Sequence, residues 1–213
     1  MKSSRRLNII THDIKIHTAN FIIYNLKKIN SKIAKIINSM SKNNDNDLST
    51  YVKRYNIKYK NILDIGTGGG FPLIVLKIFL DIDNKNTYGM DKTLKKLKVI
   101  TEKEDIKIIH SRAEIASHDE KYRESFDLVV SRAVSSIENV VEYSSGFVKI
   151  GGSAILMRGK LERYDRKKLD KFGFKEVIYE SYKLFDEDRS ILILEKVKKL
   201  DKKLPSKIPK QKS

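Results

Sequence analysis

The spacing of apolar positions changes partway along this chain. In residues 20–40, NFIIYNLKKINSKIAKIINSM, Ile22, Leu26, Ile29, Ile33, Ile36, Ile37 and Met40 recur mostly at intervals of three and four, which predicts an amphipathic helix in need of a surface to lie on. SKNNDNDLS (41–49) is polar and turn-forming and separates this helical arm from the rest of the chain. Beyond it, short apolar runs alternate with helical stretches: NILDI (61–65), a helix from about Pro72 to Leu80, TYGMD (87–91), a helix through KTLKKLKVITEKE, IKIIH (106–110), FDLVVSRAV (126–134), a helix through IENVVEYSSGFV and SAILMRG (153–159). Strands alternating with helices predict right-handed crossovers and a parallel sheet. FKEVIYESYKL and RSILILEKV are two β-branched runs close together, and predict an antiparallel hairpin at the sheet edge. KVKKLDKKLPSKIPKQKS, poor in apolar residues and carrying two prolines, predicts a tail that orders only on a partner. The expected organisation is a helical arm over 1–49, an α/β domain over 50–195 and a basic tail over 196–213.

Composition narrows the chemistry. A chain of 213 residues holds one domain with a sizeable core, and the absence of cysteine excludes a disulfide framework, a cysteine-ligated zinc and a thiol nucleophile. No apolar run approaches the roughly 18 residues of a membrane span, so the expectation is a soluble, cytoplasmic protein without a membrane role. The formal net charge is +17, and its location is informative. Residues 1–60 hold 13 Lys/Arg against 3 Asp/Glu, residues 61–195 hold 23 of each, and residues 196–213 hold 8 against 1. Positive charge on the flanks of a neutral centre points to a polyanionic partner, with a membrane surface or a merely solubilising tail as the alternatives.

The candidate chemistry begins at NILDIGTGGGFP, residues 61–72. A strand ending at Asp64 and entering Gly66-Thr67-Gly68-Gly69-Gly70 lets backbone approach a ligand, and Pro72 suits the first turn of the next helix. In the dinucleotide pattern G-x-G-x-x-G, counted from Gly66, the third glycine position is Phe71, and no Gly-Lys-Ser/Thr comes after it for a phosphate loop. What remains is acid-x-G-x-G-x-G, similar to the nucleoside loop of the Rossmann-like methyltransferases that use S-adenosylmethionine. Asp64 orients the loop, favours a ligand's ammonium, or is simply a turn residue. Asp91, ending the next predicted strand, either accepts the ribose hydroxyls or caps the following helix.

DIGTGGGFP, MDKTLKK, SRAE (111–114), FDLVVSRAV and IGGSAILMRGK, in that order, resemble the ribosomal RNA small subunit methyltransferase G family, also called glucose-inhibited division protein B, over roughly residues 60–195. A weaker similarity includes NIITHD near the start. The resemblance implies an α/β fold of the Rossmann-like class I S-adenosylmethionine-dependent methyltransferases, with a mostly parallel seven-stranded sheet and an antiparallel edge hairpin. It implies methyl transfer from S-adenosylmethionine to N7 of a guanine in 16S ribosomal RNA, free or in the small ribosomal subunit; a monomer is expected. The family's cofactor positions fall on Gly66, Phe71, Ala113, Glu114 and Arg132; with Asp64, Gly68 and Asp91 these form the expected cofactor site. Ala113 and Glu114 are expected at the adenine edge and Arg132 at the mouth; the plainer readings are a helix-start acid for Glu114 and a loop-holding ion pair for Arg132. The chain departs from the family at Leu73, Val75, Lys92 and Arg158, and is expected to be short of its opening helices and longer over 30–60.

Guanine N7 is a lone-pair nucleophile with no proton to lose, so no general base is expected and none is assigned. His12, His17, His110 and His118 show no metal or triad spacing, so no metal is expected and surface or structural roles are assigned to them. Rival readings are a methyltransferase acting on another RNA or a small molecule, an RNA-binding or assembly module that keeps the fold without activity, and a nicotinamide oxidoreductase, which Phe71 disfavours.

Overall fold

The computed structural model describes residues 48–102, 104–184 and 187–206. The helix expected over 20–40 lies outside them. The chain divides into two compact units, residues 1–51 and 52–213. In chain order the described elements are α1 (Leu48–Arg54), β1 (Ile62–Ile65), α2 (Leu73–Leu80), a 3-10 turn (Asn84–Asn86), β2 (Thr87–Asp91), α3 (Leu94–Thr101), β3 (Lys107–His110), α4 (Ala113–Ala116), β4 (Phe126–Arg132), α5 (Ile137–Ser145), β5 (Val148–Arg158), α6 (Lys167–Lys171), β6 (Phe174–Leu184) and β7 (Glu187–Lys196).

Seven strands form one sheet in the order β3-β2-β1-β4-β5-β7-β6. The first five are parallel, and β7 runs antiparallel between β5 and β6. This is the mostly parallel sheet with an antiparallel edge hairpin that the sequence predicts. β1 is buried at all four positions, as a central parallel strand covered on both faces should be. Leu63 and Ile65 join one apolar cluster with Ile137, Val140 and Val141 of α5. By alternation Ile62 and Asp64 point to the opposite face, where α2 buries Leu73, Leu76 and Leu80. Ser136 starts α5 by accepting the Asn139 N–H at 3.4 Å, and Asp81 ends α2 in the left-handed region at φ 55°. The sequence reading missed α1, which begins inside the stretch read as a loop over 41–49, and the short helices α4 and α6, each under two turns and without an apolar period to detect. Among the described residues no helix is long and apolar enough to cross a membrane.

The expected tail over 196–213 is corrected across its first half. β7 continues through Lys196, and the segment to Ser206 lies against the domain, with Leu200 buried and Leu204 packed on the apolar cluster. Lys196 itself is fully buried. Its Nζ donates to the Ser145 carbonyl at 2.7 Å and the Phe172 carbonyl at 3.2 Å, and lies 3.4 Å from Glu124 Oε1. The lysines of this stretch count as net charge in the sequence, but this one serves as an internal tie between α5, α6 and the chain end.

Burial pulls the Lys196 ammonium down to about 8 despite the opposing pull of Glu124. Between that value and its unfolded value of 10.5 the unfolded chain binds more protons, so this group's contribution to stability rises with pH across that window. Lys196→Met strands two carbonyls and is expected to cost about 2 kcal/mol. In denaturant titrations its deficit relative to the parent protein should widen from pH 7.5 to pH 9.5, whereas a narrowing deficit contradicts burial as the dominant influence.

Candidate active site

β1 and β4 are the neighbours at which the strand order reverses, so the loops leaving them part and open a crevice at their carboxyl ends, where open α/β sheets bind ligands. Ser131 of β4 donates its hydroxyl to the Ile65 carbonyl at 3.2 Å and holds the two strand ends together. The glycine turn folds back over β2, because the amides of Gly66 and Thr67 both donate to the Met90 carbonyl, at 2.8 and 2.9 Å. Gly66, at φ 73°, is required twice over: the conformation is left-handed, and a Cβ there would overlap Val134 Cγ2.

Asp91, at the end of β2, is buried and binds the turn from below. Its Oδ2 accepts the Gly68 N–H at 3.2 Å and its Oδ1 accepts the Thr93 N–H at 2.9 Å. Lys96 Nζ stands 4.0 Å from Oδ2. Asp91 is not the cap of α3, whose N-cap is Thr93; it ties the Thr93 amide to the glycine turn, and each of its oxygens keeps acceptor capacity for a further donor.

Asp64 is fully buried and neither of its oxygens has a hydrogen-bond partner; the Thr67 hydroxyl is unpartnered as well. Burial pushes its carboxyl up to about 7, against the opposing influence of Thr67, Arg132 and the Leu73 amide. An unsatisfied buried carboxylate is costly, and a cationic ligand group beside it would remove part of that cost. The Leu73 amide at the start of α2 acts on the Asp64 carboxyl, so the protein's own acid already stands at the helix start that a dinucleotide site turns to its phosphate. This donor set fits S-adenosylmethionine: an orphan carboxylate for its ammonium, Asp91 for its ribose and a phosphate-free glycine turn for close backbone contact.

The SRAV stretch closes the other side. Ala133 adopts φ 51° and donates its amide to the Met157 carbonyl at 3.3 Å. The turn sends Val134 over Gly66 and leaves Arg132 stacked on Phe71, the guanidinium carbon 4.4 Å from the ring centroid. Arg132 is thus joined to the loop by cation–π stacking, in place of the ion pair of the plainer reading. Burial lowers its pKa, and nearby Arg189 lowers it further, while Asp64 and Tyr182 favour its charge.

Ala113 and Glu114 begin α4, one strand beyond Asp91, since His110 at the end of β3 is in register with Asp91. Both are buried. Glu114 Oε1 lies 3.4 Å from Arg112 Nη1, and the Glu114 charge adds to the burial that raises the Tyr143 phenol. The structure thus gathers Asp64, Gly66, Gly68, Phe71, Asp91 and Arg132 at the carboxyl ends of β1, β2 and β4, with Ala113 and Glu114 further along the same row of strand ends. Sequence reading missed Thr67, Val134, Tyr182 and Arg189. Thr67 and Val134 fall inside the DIGTGGGFP and SRAV stretches, but nothing in the sequence signals that the hairpin residues Tyr182 and Arg189 approach Arg132. The departures at Leu73 and Lys92 are accommodated: Leu73 is fully buried, with Gly89 leaving it room, and the Lys92 carbonyl accepts from His110 Nε2 at 3.2 Å. Arg158 bonds Glu162 at 3.0 and 3.2 Å and keeps its Nε buried without a partner. Among the described residues no group of three or more His, Cys, Asp or Glu could hold a metal ion.

The family model GidB, rRNA small subunit methyltransferase G, matches residues 24–192. A ribosomal RNA small subunit methyltransferase G from Clostridium tetani is 37% identical over 164 residues, covering 70% of this chain and 67% of the relative. One from Acetivibrio thermocellus is 35% identical over 162 residues, covering 71% of this chain and 67% of the relative. Among solved structures, a 16S rRNA (adenine(1408)-N(1))-methyltransferase with cosubstrate SAM from Catenulisporales acidiphilia superposes with a TM-score of 0.53 at 12% identity, over 73% of this chain and 94% of that one, a likeness of fold.

The Asp64 carboxyl, raised to about 7, binds a proton more readily in the folded protein than at its ordinary value of 3.8. Its ionised form is the one that attracts a cation, so affinity for a ligand carrying an ammonium should strengthen as pH rises through about 7. Calorimetry with S-adenosylmethionine at pH 6 in buffers of different ionisation enthalpy should show proton release. Asp64→Asn should abolish that release and flatten the pH dependence; equal release from both proteins would refute the assignment.

Proposed function

The chain belongs to the rRNA small subunit methyltransferase G family, and from that premise we propose that it transfers a methyl group from S-adenosylmethionine to N7 of a guanine in 16S ribosomal RNA, as a cytoplasmic monomer. The observation that carries this reading is the unpartnered, buried Asp64 beneath a glycine turn that Asp91 ties down. That arrangement suits a cationic nucleoside cofactor and does not suit a pyrophosphate.

S-adenosylmethionine supplies a methyl group on a sulfonium centre, whose departure as a neutral thioether needs no acid. The work left to this chain is binding and alignment. Asp64 would stabilise the ammonium, Asp91 would accept from the ribose hydroxyls, and Ala113 and Glu114 would border the adenine. Phe71, stacked by Arg132, would border the cofactor on the loop side. Guanine N7 attacks with its own lone pair and releases no proton, so the protein's contribution is to hold it in line at near-attack distance, an effect worth several kcal/mol.

The acceptor must be unstacked or single-stranded to reach this depth. Arg132 and Arg189, two cations close enough to influence each other at the hairpin side of the crevice, supply positive potential where the RNA backbone would enter. The Lys/Arg excess over residues 1–60 would add contacts to phosphate, independent of sequence and sensitive to salt. In domain terms the reading is a helical arm over 1–49 and a methyltransferase domain that reaches Ser206.

Incubation with labelled S-adenosylmethionine and unmodified 30S subunits or 16S RNA should place label on one guanine, which borohydride and aniline then cleave. Label on RNA without such cleavage would exclude N7. Asp91→Ala should raise the cofactor dissociation constant more than tenfold in calorimetry, about 1.4 kcal/mol or more. A smaller change would leave Asp91 as only the tie between the turn and α3.

A further inference from the structure

The segment after β7 is fixed along its length. The Val197 N–H donates to the Gly173 carbonyl at 2.9 Å, the Leu200 N–H to Glu124 Oε1 at 2.9 Å and the Ser206 N–H to Glu142 Oε1 at 2.8 Å. Its more specific contacts are with Arg123 and His118, in the connection that leaves α4. Arg123 Nη1 donates to the Ser117 carbonyl at 3.1 Å and to the Leu204 carbonyl at 3.0 Å, while its Nη2 donates to the Asp201 carbonyl at 2.9 Å. His118 Nε2 donates to the Pro205 carbonyl at 2.7 Å. Gly146 makes room for this junction: a Cβ there would stand 2.5 Å from Ser117 Cβ and 2.9 Å from Pro205 Cδ.

Ser117 connects these contacts to the cofactor side. Its amide donates to the Ala113 carbonyl at 3.0 Å and closes the turn of α4 that carries Ala113 and Glu114. A helix of four residues has almost no intrinsic stability, since nucleation costs more than one turn of hydrogen bonds returns. Its position has to come from its surroundings. One guanidinium bonding carbonyls on both sides of the junction is well suited to supply it, because charge-assisted hydrogen bonds are stronger than neutral ones.

We propose that Val197–Ser206 is a clasp that holds α4 in its binding position, with Arg123 and His118 as positioning residues for the cofactor. The proposal rests on the reading that Ala113 and Glu114 border the adenine. The chain end thereby acts on cofactor affinity from outside the cofactor site.

The test compares S-adenosylmethionine binding by calorimetry, and the KM and kcat for methylation of 16S RNA or 30S subunits, across variants of the full chain. Removal of 207–213 should leave cofactor affinity unchanged. Removal of 197–213 and Arg123→Ala should each raise the dissociation constant and the cofactor KM at least fivefold, with kcat at saturating cofactor within twofold. Arg123→Lys, which keeps a cation and three donors, should recover part of the loss. Val148→Ala, a core truncation in β5, controls for stability and should lower the melting temperature without moving the cofactor KM. If the longer truncation does not fold, the Arg123 pair decides alone. An affinity within twofold of the parent in Arg123→Ala, or a matching KM rise in Val148→Ala, overturns the clasp. Glu114→Ala separates the two readings: if it weakens binding and Arg123→Ala does not, the clasp fails alone. If Glu114→Ala has no effect, the adenine-side reading fails and the route through α4 fails with it.

Discussion

Two adjacent amides, those of Gly66 and Thr67, share the single carbonyl of Met90, and the rest of the site depends on that bond pair. It bends the exit of β1 across the end of β2, which brings Gly68 within reach of Asp91. Gly66 is left bare enough for Val134 to lie against it. A side chain at Gly66 would have to displace Val134 and hold a left-handed backbone at once, two costs that add at one position. The loop is thereby set by hydrogen bonds between strand ends before any ligand contributes.

The electrostatics of the crevice stem from that geometry. Asp64 sits on the face of β1 away from the main apolar cluster, where the turn above it and α2 beside it exclude water. Its raised pKa is the consequence of burial, which outweighs the opposing influence of Thr67, Arg132 and the Leu73 amide. Arg132 is drawn both ways: burial and Arg189 lower its pKa, while Asp64 and Tyr182 favour its charged form. A buried acid and a buried guanidinium, each incompletely compensated by the protein, thus stand near each other at the strand ends. The stability given up by leaving them so is of the kind that functional sites carry.

The chain end shows how charge counted from sequence can mislead. Lys196 contributes one unit to a basic tail on paper, yet it is sealed inside, satisfying two carbonyls and facing Glu124. The next residues carry four lysines, Lys198, Lys199, Lys202 and Lys203, on a backbone that is pinned by Arg123, Glu124, Glu142 and His118. Those four partners are spread over the connection from α4 to β4 and over α5. No local pattern in the tail announces them.

Alternation of apolar runs with helical periods was enough to predict the parallel sheet, its antiparallel hairpin and the ends of β2 and β6, because period and strand burial are local properties of the chain. The glycine turn was legible for the same reason: spacing alone separates a phosphate loop from a phosphate-free one, and Phe71 sits where the third glycine would be. Asp91 was visible as a strand-end acid, but its simultaneous grip on Gly68 and Thr93 depends on β2 lying beside β1. Only the tertiary structure decided that Asp64 has no partner, that Arg132 stacks on Phe71 beside Arg189, and that the chain end folds back to α4. Each of these is a meeting of residues distant in sequence, and what a buried carboxylate, guanidinium or lysine does is determined by the groups that surround it in space.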